Sequence, residues 1–149
     1  FESKKKGIDD FTKIPNGCPG MQNRLYMIWT QGVMKNKITR QKFVELTSTN
    51  PAKVCGFYPQ KGAILPGSDA DIVIYNPEVK GTITFKDNYE GSDYETYEGF
   101  ERSGICEKVF LRGKLMAENG KYVGEKGTGR YIKQKAYALP YDRYVPRKK

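Results

Sequence analysis

Residues 47–77 read TSTNPAKVCGFYPQKGAILPGSDADIVIYNP, and this order of residue types predicts a short helix followed by a strand. At the start of the helix, Asn50 is suited to cap the first turn and Pro51 to occupy it, because the N–H groups of a first turn have no helical partner. Gly56 stands where a residue with left-handed backbone ends many helices. The helix is therefore predicted to run from Pro51 to Cys55 and to stop at Gly56.

The strand follows a turn at residues 66–69, where Pro, Gly, Ser and Asp favour a reversal of the chain. Residues 70–75 contain a β-branched run, and they predict a strand that ends at the Asn-Pro pair of residues 76–77. In isolation, Asp69 and Asp71 resemble metal ligands. Because they lie at the start of a strand, we interpret them as turn-capping residues.

The flanking residues divide the chain into a helical first third and a strand-rich remainder, with the change of periodicity near residues 56–61. Beyond the elements named above, the pattern predicts helices over residues 21–33 and 39–47, strands over residues 81–85, 109–111, 114–116 and 121–123, and loops over residues 1–20 and 87–104. Thr39 is the predicted cap of its helix. Asn119-Gly120 is a strong signal for a hairpin turn.

Charge and cysteine usage exclude several classes of protein. The 149 residues carry a net charge of +9, but residues 126–149 hold eight basic residues and one acidic residue, so the tail rather than the body is basic. The chain has no His, and Cys18, Cys55 and Cys106 are too widely spaced for a zinc site or a disulfide framework. Unpaired cysteines predict a reducing compartment, which we expect to be the cytoplasm. No apolar run approaches the length of a membrane span.

Several segments carry a resemblance to a known family. They are residues 9–17 (DDFTKIPNG), 19–20 (PG), 22–24 (QNR), 47–53 (TSTNPAK), 67–73 (GSDADIV), 97–99 (YEG), 110–114 (FLRGK) and 127–130 (GTGR). They extend over almost the whole chain and resemble the C-terminal portion of the dihydropyrimidinase and D-hydantoinase family of cyclic amidohydrolases. The Ile-Pro-Asn-Gly loop is the narrower motif, whereas the Ser-Asp-Ala-Asp-Ile-Val segment is shared widely by amidohydrolases.

The resemblance implies an α/β chain that is part of a larger fold, because members of the family are (β/α)₈ barrels with a small β-sandwich. Residues 1–56 resemble the loop after the eighth barrel strand and the helices that close the barrel. Residues 57–125 resemble the C-terminal half of the sandwich, and residues 126–149 form the basic tail. The apolar helix faces would then lack their barrel sheet, so five residues are expected to be under-buried in this chain alone: Leu25, Ile28, Trp29, Phe43 and Leu46.

The resemblance also implies a chemistry. In the family, a binuclear zinc centre activates a hydroxide that attacks the cyclic amide of a dihydropyrimidine or a 5-substituted hydantoin. Its ligands are several His, a carboxylated Lys and an Asp, and none of them matches a position in this chain. We therefore assign no catalytic residue and no metal ligand, and we expect the chain alone to be inactive and to bind no zinc. Asn16 matches the family residue whose main chain binds the cyclic amide, and it is the assigned substrate-binding residue. Without the resemblance, the preferred interpretation is that Asn16 merely tolerates a turn conformation.

Other functions stay open at this point. The collapsin response mediator proteins share the fold without being metal-dependent hydrolases, and they tend to carry Glu where Asn16 stands, which favours the enzyme. Allantoinases and dihydroorotases differ in the Ile-Pro-Asn-Gly loop. A basic, Tyr-bearing tail suits nucleic acid, an anionic membrane or simple solvation. We expect instead that it contacts a neighbouring subunit of a homo-oligomer, a dimer or a tetramer, with no nucleic-acid or membrane partner.

Overall fold

The computed structural model describes residues 2–134 and shows short helices followed by one antiparallel sheet. The helical elements are α1 (Glu2–Lys5), a 3₁₀ turn (Phe11–Lys13), α2 (Arg24–Ile28) with its π-helical continuation (Trp29–Val33), α3 (Arg40–Val44) with its π-helical continuation (Glu45–Thr49), and α4 (Asn50–Val54). The strands are β1 (Ile72–Thr82), β2 (Glu101–Leu111), β3 (Lys114–Glu118) and β4 (Lys121–Tyr122), and a second 3₁₀ turn (Phe85–Asp87) precedes β2. The predicted loop over residues 1–20 thus contains α1 and a 3₁₀ turn. Most of the predicted basic tail, residues 135–149, lies outside the described residues.

Residues 40–54 form one continuous helical stretch. Thr39 caps it as predicted, since its Oγ1 accepts a hydrogen bond from the N–H of Lys42 at 3.1 Å. The predicted cap at Asn50 is wrong, because Asn50 already has helical backbone angles (φ −68°, ψ −44°) and its side chain donates to Glu45 Oε1 at 3.3 Å. Gly56, with a φ of 69°, has the predicted left-handed conformation. Among residues 2–134, no helix is both long and apolar enough to cross a membrane.

Strand β1 extends further than the sequence predicts. The prediction that it ends at residues 76–77 is wrong: Asn76 pairs with β2, the ladder then shifts register, and pairing resumes at Lys80. Pro77 lies in this irregularity, where the chain is not paired, so the missing N–H of Pro77 costs the ladder no hydrogen bond. The separate strand predicted over residues 81–85 is the end of β1, which covers only the first two of those residues.

Strand β2 begins inside the loop that the sequence predicts over residues 87–104, since Glu101 already pairs with Thr82 of β1. The segment is acidic and rich in Tyr, and it lacks the period-2 alternation by which a strand is recognised. Residues 101–103 therefore join the sheet through pairing with β1, which their own sequence does not indicate, and Gly104 lies at the irregularity.

Two tight hairpins complete the sheet. Arg112 and Gly113 connect β2 to β3 with φ values of 49° and 78°, and Asn119 and Gly120 connect β3 to β4 with φ values of 48° and 78°. Positive φ at both central residues defines a type I′ turn, whose twist matches that of the flanking strands. The hairpin predicted at Asn119-Gly120 is confirmed.

Three aromatic rings join the helices to the sheet. The indole of Trp29 lies 4.9 Å from the ring of Tyr75 in β1 and 5.2 Å from the ring of Phe43 in α3, measured between centroids. Trp29 is 7% exposed and Phe43 8%. The expectation of under-burial is therefore wrong for Trp29 and Phe43, because Tyr75 contacts both rings from within the chain. It is confirmed for Leu46, which is 43% exposed, whereas Leu25 and Ile28 are half-buried. Elsewhere on the helices apolar surface remains open, as at Val44, which is 53% exposed.

Candidate functional site

The turn that carries Asn16 borders a cavity of about 360 Å³, which lies between the N-terminal residues and the loop from β1 to β2. Lys4, Gly17 and Tyr94 line the same cavity, and Asn16 is exposed at its edge. Within residues 2–134 the main chain of Asn16 makes no hydrogen bond. Both its N–H group and its carbonyl group are therefore unpaired among these residues.

Lys4 holds the two carbonyl groups that flank Asn16. Its Nζ donates to the carbonyl oxygen of Pro15 and, at 2.8 Å, to that of Gly17. The hydroxyl of Tyr94 donates to the same Gly17 oxygen at 3.2 Å. The Lys4 ammonium also lies 5.6 Å from the centre of the Tyr94 ring. Side chains from two distant segments thus tie the turn in place.

The segment after the turn is fixed to the loop between β1 and β2. The Oγ1 of Thr96 donates to the carbonyl oxygen of Pro19 at 2.6 Å. The carboxylate of Glu90 accepts the N–H of Gln22 at 2.6 Å and the N–H of Gly20 at 2.9 Å. These two main-chain donors lower the pKa of Glu90 below its ordinary value, because they stabilise the ionised form.

A buried carboxylate, Glu95, lies behind this contact. Glu95 is 2% exposed and its partner Asn23 is 4% exposed. Glu95 Oε2 accepts hydrogen bonds from Nδ2 of Asn23 at 2.8 Å and from Nδ2 of Asn88, and its Oε1 accepts the N–H of Tyr97 at 3.1 Å. Three donors therefore satisfy a carboxylate that would be costly to bury unpaired.

The short helix α1 is anchored to the same loop through Ser3. The hydroxyl and the N–H of Ser3 donate to the carboxylate of Asp93 at 2.6 Å and 2.8 Å. Both bonds stabilise the ionised carboxylate and lower the pKa of Asp93 to about 2, and the bond from the hydroxyl has the larger effect. Lys4 is the next residue in the chain, so this anchor holds its backbone beside the Asn16 turn.

Asp69 and Asp71 belong to an ion cluster at the edge of the sheet. Lys61 Nζ pairs with Asp69 Oδ2 at 2.8 Å and also with Asp71. Asp71 Oδ1 accepts the N–H of Arg112 at 2.8 Å and so caps the hairpin between β2 and β3. Hydrogen bonds from Lys61, which has the larger effect, and from Gln60 lower the pKa of Asp69. The bond to Arg112 agrees with the interpretation of Asp71 as turn-capping, whereas the Asp69 carboxylate bonds the side chains of Lys61 and Gln60.

The described residues do not fit a metal centre. Residues 2–134 contain no group of three or more His, Cys, Asp or Glu side chains that could hold a metal ion. All three cysteines are free, and burial raises the pKa of the half-buried Cys106 thiol. A metal-dependent reaction would need ligands from outside this part of the chain.

The cavity unites segments that the sequence presents as separate loops. Asn16, the one predicted site residue, lies at the cavity, whereas Lys4, Tyr94 and Glu95 have no sequence motif that marks them. Glu95 reaches Asn23 across 72 residues and Tyr94 reaches Gly17 across 77 residues, whereas Lys4 bonds to the nearby turn. The available signal is charge: a Lys-rich segment precedes the turn, and residues 87–104 are acidic.

Comparison with known proteins gives consistent matches. The profile of the amidohydrolase family matches residues 14–116. The D-hydantoinase of Ralstonia pickettii is 46% identical over 134 residues, which make up 90% of this chain and 29% of that protein. The dihydropyrimidinase-related protein 5 of Mus musculus is 38% identical over 152 residues, covering 100% of this chain and 27% of that protein. The crystal structure of dihydropyrimidinase from Brevibacillus agri superposes with a TM-score of 0.87 at 43% identity, over 93% of this chain and 30% of that one.

The chain therefore belongs to the amidohydrolase family, and within it to the group of the hydantoinases and dihydropyrimidinases. The resemblance predicted from the sequence is confirmed. The chain spans about three tenths of the length of the relatives that it matches.

Proposed function

We propose that this chain is the C-terminal part of a cyclic amidohydrolase that opens the ring of dihydropyrimidines or 5-substituted hydantoins by hydrolysing a C–N amide bond. One observation carries the proposal: in this chain, which is 46% identical to a D-hydantoinase, the unpaired main chain of Asn16 borders a cavity. A cyclic amide presents a carbonyl group beside an N–H group. One residue whose own N–H and carbonyl are both free supplies the matching pair.

The proposal assigns residues 1–56 to the end of the (β/α)₈ barrel, residues 57–125 to half of the small β-sandwich and residues 126–149 to an arm that contacts a neighbouring subunit. The order of helices followed by an antiparallel sheet supports the first division. The superposition on a dihydropyrimidinase supports the origin of both parts in one enzyme fold. The assembly that we propose is a homo-oligomer, either a dimer or a tetramer.

The metal that we propose for the full-length protein is zinc, as a binuclear centre that supplies the attacking hydroxide. Its ligands belong outside this chain, which has no His and whose residues 2–134 form no metal cluster. The role of this chain is to bind and orient the ring at Asn16. The isolated chain should accordingly bind no stoichiometric zinc and open no ring.

A second candidate function is that of a non-enzymatic binding protein, and it rests on the 38% identity to dihydropyrimidinase-related protein 5 over the whole chain. Initial rates of dihydrouracil and hydantoin hydrolysis separate the two. The full-length protein should show turnover when loaded with zinc, and neither the metal-stripped protein nor the 149-residue chain should do so. Ring binding without turnover by the zinc-loaded protein would favour the second candidate, and turnover by the isolated chain would contradict the assignment of the metal ligands.

A further inference from the structure

We infer that Lys4 is a positioning residue for the Asn16 turn: its ammonium group fixes the carbonyl groups on both sides of Asn16, so that the Asn16 main chain presents one donor and one acceptor to a cyclic amide. This inference rests on the proposed function. It assigns a role to a side chain that lies in the same cavity as Asn16 but has no counterpart among the predicted site residues.

The first step of the argument is geometric. Three consecutive carbonyl groups, those of residues 15–17, follow one another along the turn. Lys4 Nζ donates to the first and the third of them, on Pro15 and Gly17. The carbonyl of Asn16 accepts no hydrogen bond within the described residues. It is therefore the acceptor of this turn that stays available to an N–H group of a ligand.

The second step is electrostatic. A hydrogen bond from an ammonium group is charge-assisted and stronger than one between neutral groups. The Pro15 carbonyl shares its peptide unit with the N–H of Asn16. Polarisation of that carbonyl by Lys4 makes the Asn16 N–H a stronger donor, because hydrogen bonds in a chain polarise one another. Lys4 thereby acts on the donor as well as on the placement of the acceptor.

The third step concerns the anchors of Lys4. Ordering a Lys side chain costs conformational entropy, and pre-positioned neighbours reduce that cost. The bonds from Ser3 to Asp93 hold α1 at the cavity, and the Tyr94 ring lies beside the ammonium. The Tyr94 hydroxyl donates to the Gly17 carbonyl, and Lys4 Nζ donates to that of Pro15. Among the described residues, Lys4 is thus the side chain that holds the peptide unit carrying the Asn16 N–H.

The test uses the full-length protein with Lys4→Met and, as a matched control, Lys5→Met. Both substitutions remove one charge from α1, but the Lys5 ammonium pairs with the exposed Glu2 and makes no hydrogen bond to the turn. Without Lys4 the Asn16 main chain is less well placed and polarised, and a weakening of its substrate bonds by the worth of about one hydrogen bond corresponds to roughly a tenfold change in affinity. We expect Lys4→Met to raise the KM and the calorimetric Kd for hydantoin about tenfold while kcat changes less than about threefold. Lys5→Met should leave all three within about twofold of the parent protein.

Equal KM and Kd values for the two variants would overturn the inference. Thermal unfolding and metal content show whether Lys4→Met has folded. If it has not, the second variant is Lys4→Gln, whose amide keeps a hydrogen-bond donor and which should raise Kd about threefold. An unchanged Kd for Lys4→Gln would overturn the inference. If the parent protein opens no cyclic amide, the proposed hydrolase function fails, and the calorimetric Kd for hydantoin still decides the role of Lys4. Weaker binding by Lys4→Met than by Lys5→Met supports that role, and equal binding or none contradicts it.

Discussion

Replacing Glu95 by Ala tests whether the buried carboxylate fixes the segment after the Asn16 turn to the loop between β1 and β2. Glu95 is 2% exposed and accepts hydrogen bonds from Asn23, Asn88 and Tyr97. A buried donor left without a partner costs about 1–3 kcal/mol. The Nδ2 group of the half-buried Asn88 can bond to water instead. Asn23 Nδ2 keeps its hydrogen bond to Asn88 Oδ1 at 3.2 Å, so one of its two buried hydrogens and the half-buried Tyr97 N–H lose their acceptor. The expected loss in the free energy of unfolding is about 2 kcal/mol.

Urea unfolding of the 149-residue chain measures this loss. The matched control is Glu98→Ala in the same loop, because Glu98 is exposed and accepts one hydrogen bond, from the N–H of Phe85 at 2.7 Å. The control should cost about 1 kcal/mol or less, and Glu95→Gln should fall between the two, since its amide oxygen retains part of the network. A Glu95→Ala variant that loses no more stability than Glu98→Ala would refute the reasoning that this network fastens the site.

Two further predictions concern pH and assembly. The pKa of Asp93 is lowered from 3.8 to about 2, so its stabilising contribution is complete above the unfolded-state pKa and is lost as the pH falls through the folded-state value. Urea midpoints of the parent chain and of Asp93→Asn should therefore differ most above about pH 4 and converge near pH 2; a constant difference across that range would contradict the role of the Ser3–Asp93 bonds. Residues 136–149 lie outside the described residues, and deleting them from the full-length protein should weaken its oligomer without changing its metal content. Size-exclusion chromatography and metal analysis measure the two effects. An unchanged oligomer would mean that the tail is only a solvated extension.

Local chemistry predicts the parts of this fold that depend on neighbouring residues alone. Thr39 caps a helix, Gly56 has the left-handed backbone and Asn119-Gly120 forms a type I′ hairpin, as expected from the residue types. The cap predicted at Asn50 fails for a physical reason. The same local signal is present, but helical backbone already enters from the preceding turn, so no helix start exists there to cap.

Long-range contacts explain the rest of the differences. The sheet accommodates Pro77 in an irregularity of β1, and residues 101–103 become strand because they pair with β1. The candidate site shows the same limit. Asn16 is identifiable because it lies in a motif that resembles a family, whereas Lys4 and Glu95 acquire their roles from partners in other segments. No periodicity or spacing within either segment predicts such a pairing.

A crystal structure of the full-length protein with hydantoin or its ring-opened product bound tests the central claim most directly. The account predicts that a carbonyl oxygen of the ligand lies about 3 Å from the Asn16 nitrogen and a ligand N–H group about 3 Å from the Asn16 carbonyl oxygen, with Lys4 still on the flanking carbonyls. A ligand bound in another cavity, or bound here with the Asn16 main chain beyond hydrogen-bond distance, would contradict it.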